Sequence, residues 1–376
     1  AAGRSGAREA ARERTSQFVN RLNIERGESG FQYTALTDSA VIPVRRIEVQ
    51  SFFTDGIAKQ LARSDGEEQY EYGRLLHTYV FPEEFERFVA AKPYRPLTLV
   101  LDSTTASLPW EMACFDAPGE RVNFGIHLML SRQFRTTLAA APGVAPPVNK
   151  SLRVLVIADP ASDDADIKLE AARDEGWAVF DLFERLREER KEHIDIKVEK
   201  YIGAGECDPL RMLRLLFNNA YDIVHFSGHG LFDPRRPNRS GWVFGRNCVL
   251  SAREIFRARQ VPRLVFANAC FSSATKATSA RAAARRQQQT TQKLAGMAEA
   301  FFVRGVQNYI GAGWDVQSAA SVKFSTEFYA RAVGGTRLCE ALAAARLSIF
   351  DTEDTNYRAS WGAYQHYGQA NTRLVP

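Results

Sequence analysis

The strongest constraint on what this chain can fold into is a series of short apolar runs, each separated from the next by amphipathic or polar sequence. Leu152–Pro160 (LRVLVIADP), Tyr221–Gly230 (YDIVHFSGHG), Pro262–Cys270 (PRLVFANAC) and Val306–Trp314 (VQNYIGAGW) are the clearest. A near-continuous apolar run of strand length marks a strand buried on both faces, the environment of a parallel sheet. Ile194–Tyr201 alternates apolar and polar residues and reads as a further strand. Residues 167–190 carry Trp177, Phe180, Phe183 and Leu186 at helical spacing among many charges, and Pro209–Asn219 opens with the proline that a first helical turn tolerates. Residues 294–304, 319–333 and 336–349 read as three more helices. Strands alternating with helices predict an α/β fold whose mostly parallel sheet is covered on both faces.

Upstream, residues 31–140 mix short apolar runs with polar stretches, Leu97–Asp102 as a buried strand and Gly125–Phe134 as a strand or short helix. Prolines and small residues gather between Ala139 and Ser151 and mark a linker. The expected organisation is a linker or N-terminal helix at 1–30, an α/β lobe at 31–140, a linker at 141–151 and a second α/β domain at 152–376. Within the latter, Thr275–Lys293 holds Lys276, Arg281, Arg285, Arg286 and Lys293, no acid and almost no large apolar residue. It cannot contribute to a core and reads as a flexible basic loop.

Composition narrows the function classes. With 376 residues, 45% of them hydrophobic, the chain can bury a sizeable core. Its five cysteines are scattered, odd in number and without a CxxC pair, which argues against a disulfide framework or structural zinc and for a reducing, cytoplasmic compartment. The net charge of +5 is small for this length, and the basic loop lacks interleaved aromatics for stacking on bases, so no specific nucleic-acid partner is expected. No apolar run reaches the length of a membrane span. No glycine-rich phosphate-binding signature follows a strand, and Asp163–Asp166 lacks the glycine and distal Glu of a calcium loop, so it reads as a helix entry. Neither a metal nor a cofactor is expected. The chain opens without an initiator Met and reads as a fragment or a processed form.

In open α/β sheets reactive residues lie beyond the carboxyl ends of strands. Two candidate strands end in reactive residue types, one at His229 (HFSGHG) and the other at Cys270 (NAC). A thiol becomes a useful nucleophile when a base or cation sits beside it, and an imidazole at a neighbouring strand end supplies one. Gly228 and Gly230 suggest a tight turn around His229, and the backbone N–H groups of Gly230 and Cys270 are candidate oxyanion donors. His225, inside its strand, reads as a buried, hydrogen-bonded support residue.

The run Asp222–Gly230 followed by Asn268–Cys270 resembles the CHAT family of caspase-like proteases. So do Ile157–Pro160, Gly313–Val316, Phe328–Tyr329, the helix at Glu340–Leu342, Trp361–Tyr364 and, in the N-terminal half, Leu108–Glu111. The resemblance covers roughly residues 90–370. It implies a caspase–hemoglobinase fold, preceded by a related lobe without a catalytic pair. It also implies peptide-bond cleavage in which Cys270 attacks the scissile carbonyl and His229 protonates the leaving amine. Trp314-Asp315-Val316 resembles the corresponding run of separases, which implies a substrate pocket containing Trp314 and a buried Asp315 that faces a basic side chain. Asp159 is the second choice for that carboxylate, and Ser318 stands where many related sequences carry a further Asp. The family likeness further implies a regulated effector of bacterial defence or cell death that cuts a protein partner and answers to an upstream activator or sensor. The basic loop is then a candidate for self-cleavage. The alternative is an idle scaffold that only binds partners, which has no need of both His229 and Cys270.

Overall fold

The structure, a computed structural model, describes residues 19–36, 41–135, 148, 150–233, 240–245, 248–255, 260–270, 294–352, 357 and 360–376. Three strands open the described chain: β1 (Asn20–Arg26), β2 (Gly30–Leu36) and β3 (Val41–Glu48). Helices α1 (Ser51–Leu61), α2 (Gly66–Val80) and α3 (Glu83–Val89) follow, then β4 (Leu97–Leu101), the hairpin β5 (Cys114–Ala117) and β6 (Glu120–Asn123), and β7 (Ser131–Phe134). The second half runs β8 (Ser151–Ala158), α4 (Glu170–Glu189), β9 (Asp195–Ile202), α5 (Pro209–Asn218), β10 (Ile223–Leu231), β11 (Gly241–Gly245), β12 (Cys248–Ser251), α6 (Ala252–Ile255) and β13 (Leu264–Cys270). It closes with α7 (294–302), β14 (Asn308–Ala312), α8 (Ser318–Val333), α9 (Leu338–Phe350) and β15 (Tyr364–Gly368).

Thirteen of these strands form one sheet. Its backbone in the second half is β9-β8-β10-β13-β14, all parallel, because β-α-β crossovers return each strand in the same direction. Strand β15 then pairs antiparallel with β14 and parallel with β7, which joins β4 and β1. The expected α/β fold with a mostly parallel, helix-flanked sheet is therefore present. The sheet also runs unbroken from the N-terminal half into the second half, and β7 covers what would otherwise be an open edge at β15.

Several sequence expectations need correction. Asn20–Arg26 is a strand and not part of a linker or helix: Leu22 and Ile24 are buried at two-residue spacing, the period of a strand. Helices α1 to α3 stand within residues 31–140, where only runs had been recognised, and Ser151 already belongs to β8. Only Ser131–Phe134 of the 125–134 segment is strand. On α4 the buried stripe is Ala172, Glu175, Val179, Leu182, Phe183 and Leu186, while Trp177 is exposed and lies under the Lys200 ammonium. A strict three-residue spacing walks about 60° around a helix per step, so Trp177 and Leu186 cannot share a face. The basic loop 275–293, residues 1–18 and most of the expected linker lie outside the described residues.

The Pro-Trp-Glu segment proves to be a structural joint. Glu111 accepts from Arg132 Nε at 2.8 Å and from its Nη2, and lies 3.9 Å from Arg346 of α9; all three side chains are wholly buried. Arg132 also donates to the carbonyls of Ala106 and Leu108, and Arg346 to those of Gly125 and Tyr364. One carboxylate thus ties β7 of the N-terminal half to α9 of the C-terminal half. Trp361 adds a second tie, donating from Nε1 to Gln69 Oε1 of α2 at 2.8 Å.

Three buried histidines set the acid response of this fold. Burial pushes His225 and His366 down to about 3 and His77 down to about 4, so all three are neutral in the folded state. Unfolding lets them bind protons once the pH falls below their ordinary value near 6.5. Glu175 acts in the opposite sense, because burial raises it to about 7 and unfolding releases its proton. Proton uptake by the histidines outweighs that single release, so stability falls as the pH drops from about 6.5 towards 4.5, by on the order of 1–3 kcal/mol per pH unit. Urea unfolding at pH 7 and pH 5 checks this. Equal midpoints would contradict it.

Candidate active site

Register creates the site. Strands β10 and β13 are parallel neighbours over seven residue pairs, Ile223 with Leu264 through to His229 with Cys270. The two residues singled out in the sequence are therefore direct partners at the carboxyl ends of adjacent strands, where chains lie about 4.8 Å apart. Strand β10 continues to Leu231, with Gly230 paired to Trp242 of β11, so His229 sits within a strand and not on the expected glycine-flanked turn. Gly228 is needed for space: a Cβ there would lie 2.9 Å from the Phe226 ring and 3.2 Å from Pro160 Cδ.

His229 is partly buried, and its Nε2 lies 2.8 Å from the carbonyl oxygen of Ile167. A carbonyl can only accept, so Nε2 carries the proton and Nδ1 of the neutral ring carries the lone pair. That Nδ1 is buried and makes no hydrogen bond among the described residues. Burial pushes the imidazole pKa down, while the Ile167 carbonyl and the charges of Asp159 and Asp315 pull it partly back up. The result is a neutral base, oriented by a backbone carbonyl, at the strand end beside Cys270.

Loop 159–169, which presents that carbonyl, is itself pinned. Asp159 adopts a left-handed conformation with φ of 46° and donates its N–H to the Ser227 carbonyl at 2.9 Å. Its carboxylate accepts from Leu169 N at 3.0 Å and from Arg173 at 3.0 Å. Both oxygens are thus engaged by this chain, and Asp159 serves the loop and the entry to α4. The expectation of a buried Asp315 needs correction: Asp315 is exposed, with no ion pair or hydrogen bond among the described residues, while Trp314 beside it is packed into the core at 4% exposure. His225 fills its expected support role, wholly buried, with Nδ1 3.1 Å from the Tyr329 hydroxyl and its ring stacked on Phe266.

Sequence reasoning did not find Ile167, because a backbone carbonyl has no residue-type signature. It also passed over Glu175. A signal for Glu175 existed: it is the one acid at a core position of the buried stripe of α4. Among the described residues no cluster of His, Cys, Asp and Glu is arranged to hold a metal ion, and no helix is long and apolar enough to cross a membrane.

No curated protein sequence matches the chain. Among solved structures, separase from Saccharomyces cerevisiae in complex with securin is similar with a TM-score of 0.40 and 13% identity, covering 85% of this chain and 20% of that one. The Arg-specific cysteine proteinase gingipain R gives 0.42 and 9%, covering 86% and 74%. The complex of the pro- and mature domains of RgpB from Porphyromonas gingivalis gives 0.43 and 10%, covering 88% and 79%. The chain thus spans a fifth of the separase it matches. The family model for the CHAT domain matches residues 70–369, from helix α2 through the last strand, and the chain belongs to the CHAT domain family.

Proposed function

We propose that this chain is a cysteine endopeptidase that cuts a protein partner after a basic residue through His229 and Cys270. The observation that carries this reading is the pairing of His229 with Cys270 at adjacent strand ends, with the imidazole lone pair left on Nδ1. In this mechanism Nδ1 takes the thiol proton and the Cys270 sulfur attacks the scissile carbonyl. The oxyanion is held by the N–H groups of Gly230 and Cys270. Collapse of the tetrahedral intermediate breaks the C–N bond, and the imidazolium returns its proton to the leaving amine. Water, deprotonated by the same nitrogen, then hydrolyses the acyl-enzyme. No metal or cofactor takes part.

Substrate preference falls to Asp315. It is exposed, unpartnered among the described residues and close enough for its charge to act on His229, whereas Asp159 is saturated internally. A free carboxylate beside the reacting centre favours an Arg or Lys side chain before the cut, with Arg able to bond it bidentately. Family membership supports the wider role of a cytoplasmic, activator-driven effector of defence or cell death. The test is a fluorogenic peptide panel carrying Arg, Lys, Asp or Leu before the cut. Arg should be hydrolysed fastest, and Asp315→Asn should lower kcat/KM for the Arg peptide by about 10- to 100-fold, in line with about 1.5–3 kcal/mol for a charge-assisted bond. Faster cleavage after Asp or Leu would exclude the basic preference.

A further inference from the structure

Beneath the paired residues lies a buried polar cluster that the mechanism above does not use. Glu175 projects from α4 towards the sheet and is wholly buried. Its Oε2 accepts from Ser227 Oγ at 2.8 Å and from Asn268 Nδ2 at 2.7 Å. Ser227 and Asn268 are register partners on β10 and β13, each two residues before His229 and Cys270 respectively. A single oxygen therefore bridges the two strands that carry the reactive pair. The other oxygen, Oε1, has no hydrogen bond and lies 3.7 Å from His225 Nε2, which also has none. Ser321 and Ser325 of α8 lie beside the same carboxylate with their hydroxyls donating to the carbonyls of Ser318 and Ser321, and Tyr329 of α8 closes the far side of the His225 ring.

With Oε1 left without a hydrogen bond, the fixed contacts of this carboxylate are the two that Oε2 makes across the strands. We propose that Glu175 is a positioning residue for the His229–Cys270 pair: its Oε2 clamps Ser227 to Asn268, while its Oε1 faces His225 Nε2 at 3.7 Å. The inference rests on the proposed peptidase reading. Burial raises Glu175 to about 7 and keeps His225 neutral. The clamp touches no substrate. It sets the relative height of two strand ends, and displacement by about 1 Å at a reacting centre can cost about a hundredfold in rate.

The clamp makes a prediction that simple core filling does not. In Glu175→Gln the amide oxygen can take the Oε2 position and accept both bonds, while the NH2 group donates to His225 Nε2. This variant should keep kcat within about threefold of wild type. Glu175→Ala should lose kcat by about 10- to 100-fold with KM within about twofold, and Ser227→Ala, which removes one arm without opening a large cavity, by about 3- to 10-fold. The alkylation rate of Cys270 by iodoacetamide, located by peptide mass spectrometry, is read in parallel on the full chain. In Glu175→Ala and Ser227→Ala it should fall towards the His229→Ala rate, with or without peptide hydrolysis. Wild-type kcat and alkylation in a folded Ser227→Ala or Glu175→Ala would overturn the clamp, as would a Glu175→Gln as impaired as Glu175→Ala. Hydrolysis that survives Cys270→Ala would instead overturn the peptidase reading itself, so the two failures are distinguishable.

Discussion

Glu111→Gln should destabilise the protein by about 3–5 kcal/mol, the cost of breaking a buried ion pair by removing one partner. The substitution preserves shape and changes only charge. It leaves Arg132 and Arg346, both wholly buried, without an anion. Their remaining partners are backbone carbonyls and, for Arg132, the Tyr367 hydroxyl, which satisfy hydrogen bonds but cannot neutralise a guanidinium. Arg346 is the more exposed to this loss of compensation, since burial has already pushed it down to about 10 even with Glu111 nearby. Because Glu111 joins β7 to α9, the effect should appear as one cooperative shift in the urea midpoint and not as loss of the N-terminal half alone. A midpoint within error of wild type would show that the carbonyls suffice.

The second large effect is on rate. Cys270→Ala and His229→Ala should each lower peptide hydrolysis by about 10⁴-fold or more, because members of a catalytic unit fail together. His229→Ala should leave the urea midpoint nearly unchanged, as the ring is only partly buried and lies outside the buried clusters described above. The acid limb of the wild-type rate profile should fall below the ordinary histidine value. Burial depresses His229, and the base works only in its neutral form, so activity persists to lower pH than an exposed imidazole would allow. A double variant no slower than either single one is the expected pattern. Additive losses would mean that the two residues act independently.

The parallel half of the fold was legible because its strands are apolar on both faces, and LRVLVIADP, HFSGHG and NAC could each be placed at a strand or its end. The N-terminal half was harder to read. Its β1 carries only Leu22 and Ile24 as buried apolar residues within a charged run, and its first three helices carry mixed polar faces. The joining of the halves through β15 and β7 depends on pairs far apart in sequence, which local patterns do not encode. At the candidate site, residue types with reactive side chains could be picked out, His229 and Cys270 among them, and the register sets their backbones opposite one another. What orients them could not: Ile167 acts through its carbonyl, and Glu175 is one acid among many on α4. Asp315 ranked ahead of Asp159 in the sequence as a buried carboxylate, whereas in the structure Asp159 is the buried, bonded one and Asp315 is exposed.

A covalent trap tests the central claim most directly. The full chain is treated with a peptidyl chloromethyl ketone ending in Arg, and the adduct is located by peptide mass spectrometry. The expected result is a single adduct on Cys270, lost in His229→Ala and blocked by an excess of the Arg peptide substrate. An adduct on Cys248, the partly exposed cysteine of β12, with Cys270 unmodified while peptide is being cleaved, would contradict it.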